Sequence, residues 1–298
     1  MQIKMKDFRG SFTVMITPMT KEQEIDENGI RENIDWQISE GIAGLCPLGS
    51  TGEFVSLSRE ERFRVAKIAV EHVKGRVPVL LGTAAETTKE VIEYTQNAKE
   101  LGADGALIIN PYYCKPAENE IYEFFKMISE AVDIPVMVYN NPFTSGIDMK
   151  AELLAKIAQL KNMAYIKDAS MEIRRVKEII NLTDGRMKVF NGTDDIAFEA
   201  FLAGAVGWIA VCGNIIPGLS QQLFDLVEAG EIQKAKELNQ KILPLLSFIE
   251  NSGKLVQVVK AAVNKIGHAA GPSRLPRLPL TPEEDEKLVQ ILKNLGVL

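Results

Sequence analysis

The stretch Thr87–Asn110, TTKEVIEYTQNAKELGADGALIIN, decides how the rest of the chain reads. A threonine start followed by Val91 and Ile92 at helical spacing predicts a helix over Thr87–Leu101, closed by Gly102. The apolar run behind it, Gly105–Asn110, is too short for a helix and predicts a buried strand. The linking tetrapeptide Gly102-Ala-Asp-Gly105 has two counterparts, Gly41-Ile-Ala-Gly44 and Gly204-Ala-Val-Gly207. A helix, a glycine-framed turn and a buried strand therefore recur along the chain. That recurrence is the pattern of βα modules building a parallel sheet.

Extended outward, the same reading places strands at Phe12–Ile16, Gly44–Leu48, Pro78–Thr83, Gly105–Asn110, Pro135–Asn140, Met163–Asp168, Met187–Gly192 and Gly207–Val211. Amphipathic stretches separate them, such as Ser58–Lys74, which opens with the capping box Ser58-Arg-Glu-Glu61. Eight modules over about 225 residues match a (β/α)8 TIM barrel. A doubly wound open sheet would carry a glycine-rich nucleotide fingerprint after its first strand, where Thr17-Pro18-Met19-Thr20 stands instead. After Val211 the pattern is wholly helical: Pro217–Ala229, Glu231–Glu250, Gly253–Ile266, a proline-rich connector Gly271–Pro279, and Thr281–Leu295 with Pro282 in its first turn. The expected organisation is a catalytic barrel over residues 1–228 and a C-terminal helical extension, 229–298, packed on it.

Composition narrows the function classes. The 298 residues carry a net charge of −6 with no Lys/Arg-rich run, which argues against nucleic acid or an anionic membrane as partner. The opening segment Met1–Gly10 is charged and no run of 18 apolar residues occurs, so neither a signal peptide nor a membrane span is expected, and a cytoplasmic location is. Cys46, Cys114 and Cys212 are too few and too far apart for a disulfide framework or a metal knuckle and read as packing thiols. With only His72 and His268, a histidine metal triad or a Ser-His-Asp relay is hard to assemble; no metal and no cofactor is expected.

In a barrel of this kind chemistry sits at the C-terminal strand ends. Those ends carry Gly49-Ser50-Thr51-Gly52-Glu53, Asn110-Pro111-Tyr112-Tyr113, Tyr139-Asn140-Asn141-Pro142, Lys167-Asp168 and Asn191-Gly192-Thr193-Asp194-Asp195. Strand alternation puts Tyr165 and Lys167 on one face and Ile166 on the other. If that face lines the interior, desolvation favours a neutral amine, which can attack a carbonyl to form a Schiff base; a lysine snorkelling to water is the bland alternative. Tyr139, one strand earlier, offers a phenol to move protons beside such an imine. Ser50, Thr51 and Gly52 offer hydroxyls and backbone N–H groups to a carboxylate, and equally a turn before the next helix.

These motifs, in this order and over essentially the whole chain, resemble the dihydrodipicolinate synthase / N-acetylneuraminate lyase family of class I, pyruvate-type Schiff-base aldolases. They are Gly49-Ser-Thr-Gly-Glu53, Pro111-Tyr-Tyr-Cys-Lys-Pro116, Tyr139-Asn-Asn-Pro142 with Gly146, Ile166-Lys-Asp168 and Asn191-Gly-Thr-Asp-Asp195. The resemblance implies a Schiff base on Lys167, acid/base work by Tyr139, carboxylate binding by Ser50 and Thr51, and Tyr113 joining the relay from a neighbouring subunit of a tight dimer within a homotetramer. One departure bears on the substrate. The family's synthases carry an arginine in the loop after the tyrosine, a receiver for the carboxylate of aspartate semialdehyde, and Thr144 occupies that place here.

The expected function is therefore a cofactor-free lyase acting on pyruvate or a 2-keto-3-deoxy sugar acid by aldol cleavage, condensation or dehydration. Asp194 and Asp195 would meet substrate hydroxyls or, more simply, cap the following helix. The alternative within the class is dihydrodipicolinate synthase with another carboxylate binder, Arg174 or Arg175, although their helical pattern reads as a solvated face. The alternative from another class is a non-catalytic 2-oxo-acid sensor, which has no need of a proton relay.

Overall fold

A computed structural model describes residues 7–298; the charged opening of the chain, residues 1–6, lies outside them. Eight strands form one parallel sheet, β1 Gly10–Val14, β2 Gly44–Cys46, β3 Leu80–Gly82, β4 Gly105–Ile109, β5 Val136–Asn140, β6 Tyr165–Asp168, β7 Lys188–Asn191 and β8 Gly207–Ala210, with helices between them. This is the (β/α)8 TIM barrel fold with additional C-terminal helices that the module count predicts. Seven observed strands are shorter than the apolar runs, and β1 keeps five residues but lies two positions earlier than the expected Phe12–Ile16. β1 ends at Val14: the Met15 N–H still donates to the Cys46 carbonyl at 3.0 Å, and the donor after it, the N–H of Ile16, is taken by the Asn214 side chain at 2.9 Å. β2 stops at Cys46 and Leu48 turns the chain with a left-handed φ of 63°.

By its internal contacts the chain divides into two compact units. The first holds residues 7–9 and Leu80–Ile209. In it β3 to β7 pair each with the next, and the register sets Tyr139 opposite Lys167 and Asn140 opposite Asp168. All five residues of β4 and β5 are buried, as expected of strands covered on both faces. The helix Thr88–Leu101 begins on Thr87, whose hydroxyl accepts from the N–H of Glu90, and ends on Gly102 at φ 88°, a conformation that costs a β-carbon-bearing residue about 1 kcal/mol. The turn back into the strand is thus encoded locally.

The second unit holds Gly10–Val79 and Ala210–Leu298. β1 pairs with β2 in parallel, Phe12 opposite Gly44. Gly44 lies against the Phe12 ring so closely that a Cβ would stand 2.2 Å from a ring carbon, so only glycine fits. The predicted Ser58 capping box is present, with Ser58 N–H donating to Glu61 Oε2 at 2.7 Å and Glu61 N–H to Ser58 Oγ at 3.2 Å. The four late helices run Pro217–Glu228, Ile232–Asn251, Leu255–Lys265 and Pro282–Leu295, within a few residues of their sequence bounds. A buried ion pair crosses this unit: Lys260 Nζ lies 2.7 Å from Glu53 Oε1, both almost solvent-free. Burial pushes the Lys260 ammonium below its ordinary range while Glu53 pulls it back up. No described helix is long and apolar enough to cross a membrane.

Candidate active site

Lys167 sits on β6 with Tyr165 on the same face, and it is 4 % exposed. Its Nζ lies 4.3 Å from the centroid of the Tyr139 ring, a cation–π distance, and Tyr139 is itself 6 % exposed. The pair is a direct product of the β5–β6 register, which sets the two residues side by side. The bland alternative of a lysine reaching water is excluded by that burial. Tyr139 Oη accepts a hydrogen bond from Asn141 Nδ2 at 2.9 Å, which leaves the phenolic proton free to be donated elsewhere.

Behind this pair the residues next in sequence form a buried polar network. Asn140 Nδ2 donates to Asp168 Oδ1 at 2.8 Å and to Asp148 Oδ1 at 3.1 Å, and its Oδ1 accepts from the N–H of Met149 at 3.0 Å. Ser170 Oγ donates to Asp168 Oδ2 at 2.7 Å. Arg175 grips Asp148 with two bonds of 2.9 and 3.1 Å and donates to the carbonyl of Met149 at 2.9 Å. Burial pushes the Asp168 carboxyl up, whereas the Arg175 guanidinium, against the opposing effect of burial, holds Asp148 well below the usual carboxylate range. Arg175 is therefore not on a solvated face, contrary to its helical pattern; Arg174, largely exposed and paired with Glu172, is. Sequence reasoning missed this network because its five side chains come from two strands, one helix and the loops between them, and only their registry joins them.

The remaining expected residues fall as follows. Thr144 is exposed in the helical turn Pro142–Ser145, its N–H donating to Asn141 Oδ1 at 3.1 Å. Tyr113 is 88 % exposed, and Cys114 beside it is exposed too, so only Cys46 and Cys212 are packing thiols; Cys114 lies on the outward face of the Pro111–Pro116 loop. The N–H groups of Tyr112 and Tyr113 both donate to Glu86 Oε1 at 3.0 Å, a pin on the loop that no spacing pattern announces. Asp194 does not cap the helix after it. The residue is fully buried and its carboxylate accepts from Trp208 Nε1 at 3.0 Å, because β7 and β8 bring Asn191 opposite Trp208. Asp195 is half-buried.

In the second unit Ser50 is half-buried and Thr51 buried in the turn after β2. Two backbone donors of that turn are spent internally, Gly52 N–H to the Gly49 carbonyl at 3.0 Å and Glu53 N–H to the Ser50 carbonyl at 3.1 Å. Gly52 is required there, since a Cβ would stand 2.9 Å from the Met15 carbonyl oxygen. Among the described residues no group of three His, Cys, Asp or Glu side chains is placed to hold a metal.

The chain matches the model of the dihydrodipicolinate synthetase family over residues 7–295. It belongs to that family. A 4-hydroxy-tetrahydrodipicolinate synthase of Geotalea uraniireducens is 39 % identical over 293 residues, 98 % of this chain and 100 % of the relative. A solved dihydrodipicolinate synthase from Acinetobacter baumannii, complexed with pyruvate, is 35 % identical with a TM-score of 0.94, covering 98 % of this chain and all of that one. A monomeric dihydrodipicolinate synthase variant is 32 % identical with a TM-score of 0.94, covering 98 % of each chain. The chain is a Schiff-base lyase of the class I aldolase type, as the members of this family are.

Proposed function

We propose that Lys167 is the Schiff-base lysine, that it takes pyruvate or the pyruvoyl end of a larger 2-oxo acid, and that Tyr139 is the acid/base partner. The observation that carries this is the buried contact of Lys167 Nζ with the Tyr139 ring at 4.3 Å. The neutral amine adds to the C2 carbonyl and water leaves, giving the imine. Loss of a C3 proton turns the imine into an enamine, which adds to an aldehyde whose oxygen takes up a proton; cleavage is the reverse. The Tyr139 phenol, oriented by Asn141, is the donor and acceptor for these transfers. Ser50 and Thr51 are assigned to the carboxylate of the 2-oxo acid, and Gly52 to the same turn, on the strength of the Gly49–Glu53 motif. Asp195 is the member of the acidic pair proposed to meet substrate hydroxyls, Asp194 being held by Trp208.

Two readings of the second reactant stand on different observations. Full-length likeness to 4-hydroxy-tetrahydrodipicolinate synthases supports aspartate semialdehyde. Thr144 in the arginine's place, with Arg175 already committed to Asp148, supports a hydroxylated, uncharged aldehyde of the 2-keto-3-deoxy sugar acid kind. Tyr113 is assigned to the relay of a neighbouring subunit in a homotetramer, a reading its exposure supports.

Pyruvate with borohydride should trap one adduct, on Lys167, and Lys167→Arg should be as inactive as Lys167→Ala, because a guanidinium stays protonated. Labelling of the Lys167→Ala variant would refute the assignment. A panel of pyruvate plus aspartate semialdehyde, N-acetylneuraminate and several 2-keto-3-deoxy acids, read by pyruvate consumed or released, names the second reactant.

A further inference from the structure

We infer that Lys115 is the cation that receives an anionic group on the second reactant, in place of the arginine missing at Thr144. The inference rests on the site reading above and specifies the substrate class of that site.

The helical turn Pro142–Ser145 ends on Gly146, which caps it at φ 69°. The end of the Lys115 side chain lies across that glycine: a Cβ on Gly146 would stand 2.9 Å from Lys115 Cε and 3.3 Å from its Nζ. The same turn is tied to the reacting pair, since Asn141, whose side-chain oxygen accepts from Thr144, donates to Tyr139 Oη. The ammonium thus lies against the glycine that closes this turn, two residues after Thr144, and the turn's own Asn141 bonds the phenol proposed to serve the imine. Lys115 is exposed, and the loop that carries it is fixed at its backbone. The loop is pinned by Glu86 through two N–H bonds, and Lys115 itself adopts a left-handed φ of 49°, which costs a non-glycine residue about 1–2 kcal/mol.

Among the described residues Lys115 Nζ has no hydrogen-bond or ion-pair partner. The one carboxylate of the segment it faces, Asp148, is saturated by Arg175, Lys150 and Asn140. A cation without a partner, held against the loop that follows the site's tyrosine, fits an aldehyde that carries a carboxylate or phosphate better than a neutral one. The competing reading is a lysine that merely sits at the end of a helical turn and favours its carbonyls.

The test compares Lys115→Met and Lys115→Arg with the parent enzyme, using pyruvate with aspartate semialdehyde and pyruvate with glyceraldehyde. We expect Lys115→Met to lower the ratio of kcat/KM for the anionic over the neutral aldehyde at least tenfold, chiefly through KM, and Lys115→Arg to restore most of it. High salt should compress the ratio in the parent and leave it flat in Lys115→Met. An unchanged ratio, or a fall in thermal stability with both aldehydes affected alike, overturns the inference. Where neither aldehyde turns over, glutarate binding to the pyruvate-loaded enzyme by calorimetry decides: affinity equal in parent and Lys115→Met refutes it. Borohydride trapping on Lys167 runs in parallel, so that loss of trapping in the parent marks failure of the site reading and intact trapping with an unchanged ratio marks failure of the Lys115 assignment alone.

Discussion

Replacing Tyr139 by phenylalanine separates the chemistry of the phenol from its packing. The ring stays, and with it the contact to Lys167 Nζ at 4.3 Å and the burial of both side chains. What is lost is one neutral hydrogen bond, from half-buried Asn141 Nδ2 at 2.9 Å, worth about 0.5–1.5 kcal/mol. At roughly 2–4 °C per kcal/mol for a chain of this size, the melting temperature should fall by no more than about 6 °C. If the phenol moves the protons of imine and enamine formation, kcat should fall by about 10²–10⁴, which is roughly 2.7–5.5 kcal/mol of barrier. KM for the 2-oxo acid should change little, because the groups assigned to its carboxylate lie elsewhere. The assay is steady-state turnover with the best substrate of the panel, alongside scanning calorimetry and single-turnover borohydride trapping. Trapping should slow without being abolished, since Lys167 is intact. A kcat reduced less than tenfold, with the fold intact, would refute the proton role of Tyr139.

The buried Lys260–Glu53 pair gives a stability prediction: Lys260→Met leaves Glu53 short of its main countercharge and should cost about 3–5 kcal/mol, a fall on the order of 10 °C, with Glu53→Gln in the same chain recovering much of it; calorimetry of the two variants decides. Asp148 is held below its unfolded value of 3.8, so its contribution is present above that pH and lost as pH falls beneath it. The stability gap between the parent and Asp148→Asn, read from urea midpoints, should therefore be full, about 1–3 kcal/mol, at pH 7 and shrink below about pH 4. Mixing Lys167→Ala with Tyr113→Phe subunits should restore activity, because some hybrid dimers then hold one site with both residues intact; no recovery, with exchange confirmed by native mass spectrometry, would place the relay within one chain.

Much of this protein is written in local sequence. Helix starts and stops, the Ser58 capping box, Gly102 and the buried runs of β4 and β5 are decided by the residues themselves, so the count of eight modules, and with it the barrel, follows from the chain read alone. The positions of Lys167 and Tyr139 were legible too, because each stands one residue before the C-terminal end of its strand and alternation fixes the face of Lys167. Tertiary structure alone decided what lies around them. Arg175 reads as a solvated helix residue until the register of β5 and β6 brings Asn140 to Asp168 and, with them, Asp148 to its guanidinium. Asp194 reads as a helix cap until β8 presents Trp208 to it, and no spacing announces that Glu86 accepts from the N–H groups of Tyr112 and Tyr113 in the Pro111–Pro116 loop. The physical reason is common to all of these: burial and hydrogen-bond partners of polar groups depend on residues far apart in the chain, and a one-dimensional pattern carries spacing but not the distances across which charges and dipoles act.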